Sequence, residues 1–266
     1  MSVVDDSYDE ELEEGSLLSH LLELRNRLMR AFGAVLVVFV CLVPFAQKLF
    51  TYVSLPLQKA LPVGNTMIAT DPASTVFTPF KLAFFIAIFI AMPVILYQAW
   101  AFVAPGLYRK EKRFAIPLLG SSITLFYLGV AFAYFIVFPL VFKFVVAFAP
   151  EGVENMTDIA SYLTFALTLF LAFGLAFEVP VATVLLVWAG LTTPKKLKGI
   201  RPYVFLGCFV VGMFLTPPDM LSQTMLAIPV YILFELGIIG SQILLRDKLA
   251  ARAAEEAADA ADENDA

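Results

Sequence analysis

Long windows without a charged side chain dominate this chain. They run from Ala31 to Gln47, from Leu82 to about Ala104, and from Phe114 to Phe142; a fourth, Ile159 to about Gly190, carries the single acid Glu178. About 20 consecutive apolar residues are needed to cross a hydrocarbon core of about 30 Å as a helix, so each window predicts a membrane span. Two further stretches follow Arg201. Tyr203–Leu215 holds 13 residues, about 20 Å of helix at 1.5 Å per residue. Leu221–Leu245 is interrupted by Pro229 and Glu235. The pattern predicts an all-α polytopic membrane protein with six transmembrane helices, the last two short. Before the first span, leucines 17, 18, 21, 22 and 28 recur at helical spacing, which predicts an interfacial amphipathic helix leading into the membrane. The prolines of Leu49–Lys81 (56, 62, 72 and 79) and Pro150 with Gly152 in Val146–Asp158 predict some compact structure outside the spans.

The charges then orient the helices. The chain is formally −5, which is odd for a membrane protein that must obey the positive-inside rule. Eight of the 23 acids lie between Asp5 and Glu23 and seven between Asp247 and Asp265, and the body from Leu24 to Arg246 holds 16 basic residues against eight acids. The acidic ends, 1–15 and 247–266, read as solvated and disordered tails around a membrane domain at 16–246. Fourteen basic residues fall before the first span, between the second and third, between the fourth and fifth, and after the sixth; only Lys48, Lys59, Lys81 and Lys143 fall on the other side. Both termini are therefore expected in the cytoplasm. The start is acidic rather than basic, so no cleaved leader is expected and the first span stays as an anchor.

Composition removes whole classes of chemistry. With 60% hydrophobic residues, 15% charged, one histidine and two cysteines, a histidine–cysteine zinc site lacks ligands. Cys41 and Cys208 lie in apolar runs and read as buried thiols. No phosphate loop, dinucleotide glycine pattern or nucleophile elbow occurs. No enzymatic activity, metal or cofactor is expected. Glu178 and Glu235 are the intramembrane acids, thin material for a proton relay, and an acid at that depth costs roughly 2.5–3.5 kcal/mol on insertion scales.

Two polar regions remain. In Ser19-His20-Leu21-Leu22-Glu23-Leu24-Arg25-Asn26-Arg27-Leu28, Glu23 and Arg27 are four apart. They read either as an ordinary i,i+4 pair worth about 0.2–0.5 kcal/mol or as an exposed carboxylate at the cytoplasmic mouth. The run Tyr97–Tyr108 leads into the basic cluster Arg109–Arg113, in which Glu111 is the single acid. Glu111 either relieves repulsion among its neighbours or, with Glu23, binds a pair of guanidinium groups, since a carboxylate accepts bidentate hydrogen bonds from arginine.

Together with Met67-Ile68-Ala69-Thr70-Asp71, Pro93–Gln98, Phe177-Glu178-Val179-Pro180, Arg201-Pro202-Tyr203 and Leu215-Thr216-Pro217-Pro218-Asp219, these segments resemble the TatC family, the six-span receptor subunit of the twin-arginine protein translocase, and proteobacterial members in particular. The resemblance covers about residues 16–246. It implies an inner-membrane protein that, with TatB, binds twin-arginine signal peptides and, with TatA, supports proton-motive-force-dependent transport of folded proteins, with other copies of itself in a TatBC complex. It also implies signal-peptide contacts at Glu23, Arg25, Phe102, Leu107, Tyr108 and Glu111, and a polar intramembrane role for Glu178 and Gln223. Partner docking is implied at Met213, Thr216 and Gln223, and a role in the first external loop for Pro56. Two rivals make different demands: a secondary transporter coupling ions through Glu178 and Glu235, and a structural scaffold that recognises no cargo.

Overall fold

The computed structural model describes residues 3–60, 68, 70–103, 112–141, 158–215, 220–246, 248 and 250. Among them the protein is all-helical. Two backbone positions, Ile68 and Asp158, pair as an isolated parallel bridge. Five helical stretches are long and apolar enough to cross a membrane, and Arg201–Phe214 is a shorter apolar helix, so the six predicted spans each have a helical counterpart. By compactness the chain divides into two units, residues 1–123 with 156–163, and 124–155 with 164–266.

In the first unit, α1 spans Val3–Leu42. Pro44, which has no amide hydrogen to give to the helical ladder, falls in a single 3₁₀ turn, Val43–Phe45. The helix then resumes as α2, Ala46–Ala60, so the expected compact structure begins here, and Pro56 lies within α2. The next helix, α3, spans Pro72–Val103 and so starts ten residues before the apolar window that predicts it. It is capped by Asp71, whose carboxylate accepts from the Ala73 and Ser74 amides at 3.1 and 3.2 Å.

α1 packs on α3 through Val35, Ala87 and Ala91, with Val38, Leu42, Ile88 and Ile95 around them. Small residues at 87 and 91, one turn apart, let the two backbones approach. On the other side of α1, Leu36, Val37 and Val40 are exposed, as suits a lipid-facing surface. Cys41 shares that exposure. Its expected burial is therefore corrected: in a membrane helix an apolar run does not distinguish the face turned to protein from the face turned to lipid. Cys208 is buried as expected.

Asp158 ties the segment before α3 to the start of the fourth span. Its carboxylate accepts from the Ser161 amide at 2.9 Å and from the Thr70 amide and hydroxyl at 3.2 and 3.0 Å. These bonds, those from Ser161 foremost, hold its pKa down from 3.8 to about 2. A depressed carboxylate stabilises the fold above its unfolded value, so this clamp is fully present above about pH 4 and is lost only as the pH falls toward 2.

The helix α4 (Lys112–Phe132), which passes from the first unit into the second at residue 124, continues through a π turn, Ala133–Val137, to residue 141. The wider turn sets Ala133, Val137 and Val141 against Leu169 and Phe173 of α5, Ile159–Ala176. Gly129 lets the two helices touch: a Cβ there would stand 2.5 Å from the Phe173 carbonyl oxygen, and one at Gly174 would stand 2.6 Å from the Phe126 ring. The fourth span is not one unbroken helix. The chain turns at Phe177-Glu178 and restarts as α6, Val179–Trp188, with Pro180 in its first turn, where a missing amide hydrogen costs nothing. α6 ends in a left-handed Gly190 (φ 80°), with Leu191 and Gly190 amides closing on the Leu186 and Val187 carbonyls at 3.1 Å each; this is the Schellman arrangement glycine permits.

The short α7, Pro194–Gly199, is capped by the Thr193 hydroxyl and leads into α8, Arg201–Leu215, and α9, Met220–Leu244. With 15 residues, α8 is about 22 Å long, shorter than the hydrocarbon core, as predicted. α9 is not short. It has 25 residues, so the expectation of two short final helices is corrected to one: Pro229 sits inside α9 without ending it, because packing of Leu226, Phe234 and Ile238 into the core holds the helix on both sides of the missing hydrogen bond. α9 lies close on α6 at Gly237, where a Cβ would meet Pro180 and Thr183 at 2.9 Å. Trp188 at the end of α6 receives the Lys248 ammonium 4.9 Å from its ring centre.

Candidate functional site

The amphipathic segment of α1 carries the first predicted site. Glu23, Arg27 and Arg30 line a cavity of about 450 Å³ with Ser19, Leu22 and Asn26, residues that recur every three or four positions and so share one side of the helix. Arg27 donates from Nε to Glu23 Oε1 at 2.9 Å and also from Nη2 to the same oxygen, so the i,i+4 pair forms. The Glu23 side chain nevertheless keeps 35% of its surface exposed. Glu23 is thus paired locally and still partly open to water. Arg25 is exposed beside it.

Phe102, near the end of α3, is half-buried, and its ring stacks on His20 with centroids 4.4 Å apart and planes 25° from parallel. Residues 82 positions apart are thereby brought to one place, one turn from Glu23. His20 is the chain's single histidine, and its spacing of three from Glu23 was the available signal in the sequence. Leu107, Tyr108 and Glu111 lie outside the described residues.

In the second unit the predicted intramembrane residues have distinct settings. Glu178 caps α6 at the break in the fourth span, without a side-chain bond to the helix it precedes, and its Oε1 atom is buried. Gln223 donates from Nε2 to the Phe209 carbonyl at 2.7 Å, tying α9 to α8, while its Cγ would be 3.2 Å from a Cβ at Gly212. Met213 is exposed on α8. Thr216 lies outside the described residues, as does the side chain of Pro56. α5, α8 and α9 enclose an apolar cavity of about 630 Å³ between Phe173, Val204, Cys208, Val211, Val230 and their neighbours; Glu178 adjoins its Val179 wall.

One network was not legible. Arg201, counted in sequence as a loop cation, donates from Nη2 to Glu235 Oε2 at 2.6 Å, and the Tyr231 hydroxyl donates to Glu235 Oε1 at 3.0 Å. The Tyr231–Glu235 half, four apart on one helix, could have been read; the Arg201 half, 34 positions away, could not. This arrangement spends Glu235 on joining α8 to α9.

Comparison with known proteins agrees with the geometry. A family model described as Sec-independent protein translocase protein (TatC) matches residues 19–229. The Sec-independent protein translocase protein TatC of Escherichia coli K12 is 59% identical over 226 residues, 85% of this chain and 88% of that protein. The protein of the same name from Haemophilus influenzae is 57% identical over 227 residues, 85% of this chain and 89% of its own. A crystal structure of the twin-arginine translocase receptor TatC superposes with a TM-score of 0.76 at 38% identity, covering 84% of this chain and 98% of that one. The family match, the identity over most of the chain and the superposed crystal structure lead to one assignment: this multi-pass membrane protein belongs to the TatC family.

Proposed function

We propose that this chain is a receptor for twin-arginine signal peptides in the cell inner membrane, with the basic ends of its helices and both termini on the cytoplasmic side. The observation that carries this reading is Glu23: a carboxylate on an open cavity of about 450 Å³, with one oxygen holding Arg27 and its side chain 35% exposed. A guanidinium presents five donors in a planar fork that fits a carboxylate. An incoming arginine therefore exchanges for Arg27 at little cost, because an i,i+4 pair on one helix is worth only about 0.2–0.5 kcal/mol. Glu111, with Leu107 and Tyr108, is assigned to the second arginine, and Arg25 and Phe102 to the walls.

The partners in this proposal are TatB for recognition and TatA for transport driven by the proton-motive force, docking on the side of α8 and α9 that carries Met213, Thr216 and Gln223. The short α8 supports a locally thinned bilayer there, since a helix shorter than the hydrocarbon core is accommodated by thinning. A transporter that couples ions through Glu235 is disfavoured by the bonds that Arg201 and Tyr231 make to that carboxylate.

The deciding experiment is site-specific photocrosslinking of a twin-arginine peptide to the full chain carrying Glu23→Lys or Glu111→Lys. Crosslinking is expected to fall at least tenfold in each variant, and normal crosslinking in both would overturn the assignment. Lengthening α8 by one turn is expected to block transport while leaving peptide crosslinking intact.

A further inference from the structure

We propose that His20, backed by Phe102, is the residue that makes the peptide site select arginine over lysine; this deepens the reading of Glu23 as a guanidinium acceptor and rests on it. A carboxylate by itself discriminates poorly between the two cations, because it attracts any positive charge within reach. Discrimination needs a partner for the flat faces of a guanidinium, which an ammonium lacks. Arginine stacks on aromatic planes, and lysine is a compact, strongly hydrated point charge.

The structure provides such a plane beside Glu23. His20 is exposed, and one face of its ring lies against Phe102 at 4.4 Å and 25°. The contact with Phe102 fixes the ring's orientation and leaves its other face outward. His20 and Glu23 are three apart on α1, so their side chains are neighbours on the helix surface. A guanidinium can lie flat on the imidazole while its edge donates to the Glu23 carboxylate, using face and edge at once. Arg27 follows at the next turn of the same stripe and already holds Glu23 Oε1, which shows that a guanidinium can reach that oxygen from this side of α1. A histidine serving only to fasten α1 to α3 would satisfy the same stacking distance, so the test must read selectivity rather than stability.

The measurement is equilibrium binding of two fluorescent peptides, identical except for a consecutive Arg-Arg or Lys-Lys pair, to the detergent-solubilised full chain and to its His20→Ala, His20→Phe and Glu23→Gln variants. His20→Ala is expected to weaken the Arg-Arg peptide about two- to fivefold with little effect on the Lys-Lys peptide, lowering the ratio of the two affinities. His20→Phe keeps a flat ring against Phe102 and is expected to preserve that ratio. Glu23→Gln is expected to weaken both peptides. If His20→Ala changes both affinities by the same factor, or neither, while Glu23→Gln still weakens binding, the selectivity role is wrong and the carboxylate site stands. If Glu23→Gln leaves both affinities unchanged, or the unaltered chain binds neither peptide, the site reading fails and this inference falls with it.

Discussion

Among the described residues, two arginine–glutamate pairs have similar geometry and differ in what they join. Glu23 and Arg27 are one helical turn apart on α1, and the carboxylate keeps 35% of its side chain exposed. Arg201 and Glu235 are 34 positions apart, join α8 to α9 at 2.6 Å, and share Tyr231 as a second donor to the carboxylate. The first pair is cheap to open because it links neighbouring turns of one helix and is worth only about 0.2–0.5 kcal/mol. The second is costlier to open because it joins two helices through a carboxylate that also accepts from Tyr231, next to an Arg201 Nε that is already buried. An ion pair within one helical turn stabilises only its own helix, whereas one between residues distant in sequence and supported by a third group holds two helices together.

Three substitutions break or sharpen this contrast. The largest expected effect is on the distant pair: Glu235→Ala should cost about 1–3 kcal/mol of stability, the range for losing hydrogen bonds to a charged group. Thermal unfolding in detergent reads it, and binding of a twin-arginine peptide should be unchanged. An equal loss of stability on Glu23→Ala would erase the distinction. Next is Gln223→Leu, which removes the bond to the Phe209 carbonyl. Hydrogen bonds between membrane helices average about 0.6 kcal/mol, so a drop of that order in the same assay is expected, and a crosslink from α8 to a partner helix should persist if Gln223 acts within the chain alone. The smallest is Arg27→Gln, which should cost α1 about 0.2–0.5 kcal/mol and, by vacating Glu23, tighten peptide binding by about twofold at most. Weaker binding in this variant would mean that Arg27 contributes to the peptide site rather than occupying it.

Much of this is legible residue by residue. Charge-free windows gave the spans because hydrocarbon demands internally bonded backbone over a fixed thickness, and the brevity of α8 follows from the spacing between Arg201 and the Pro217-Pro218 pair. Glu23 stood out as an acid in a basic stretch, with Arg27 one turn on. The length of α9 was misread because Pro229 looks like an interruption in one dimension, whereas the helix is held across it by core contacts. Cys41 was misread because apolar sequence does not say which side of a helix meets protein.

The sequence by itself determined what each segment is: apolar helices of set length, a basic set of helix ends, acidic termini, and an isolated carboxylate one turn from an arginine. These are local properties, governed by composition and by the 3.6-residue period of the helix. Only the tertiary structure decided which distant groups meet. The ring of Phe102 lies on His20, Asp158 clamps Thr70, and Arg201 neutralises Glu235. Each of these depends on helix crossings set by small residues such as Ala87, Gly129 and Gly237, where van der Waals packing rather than periodicity fixes the approach.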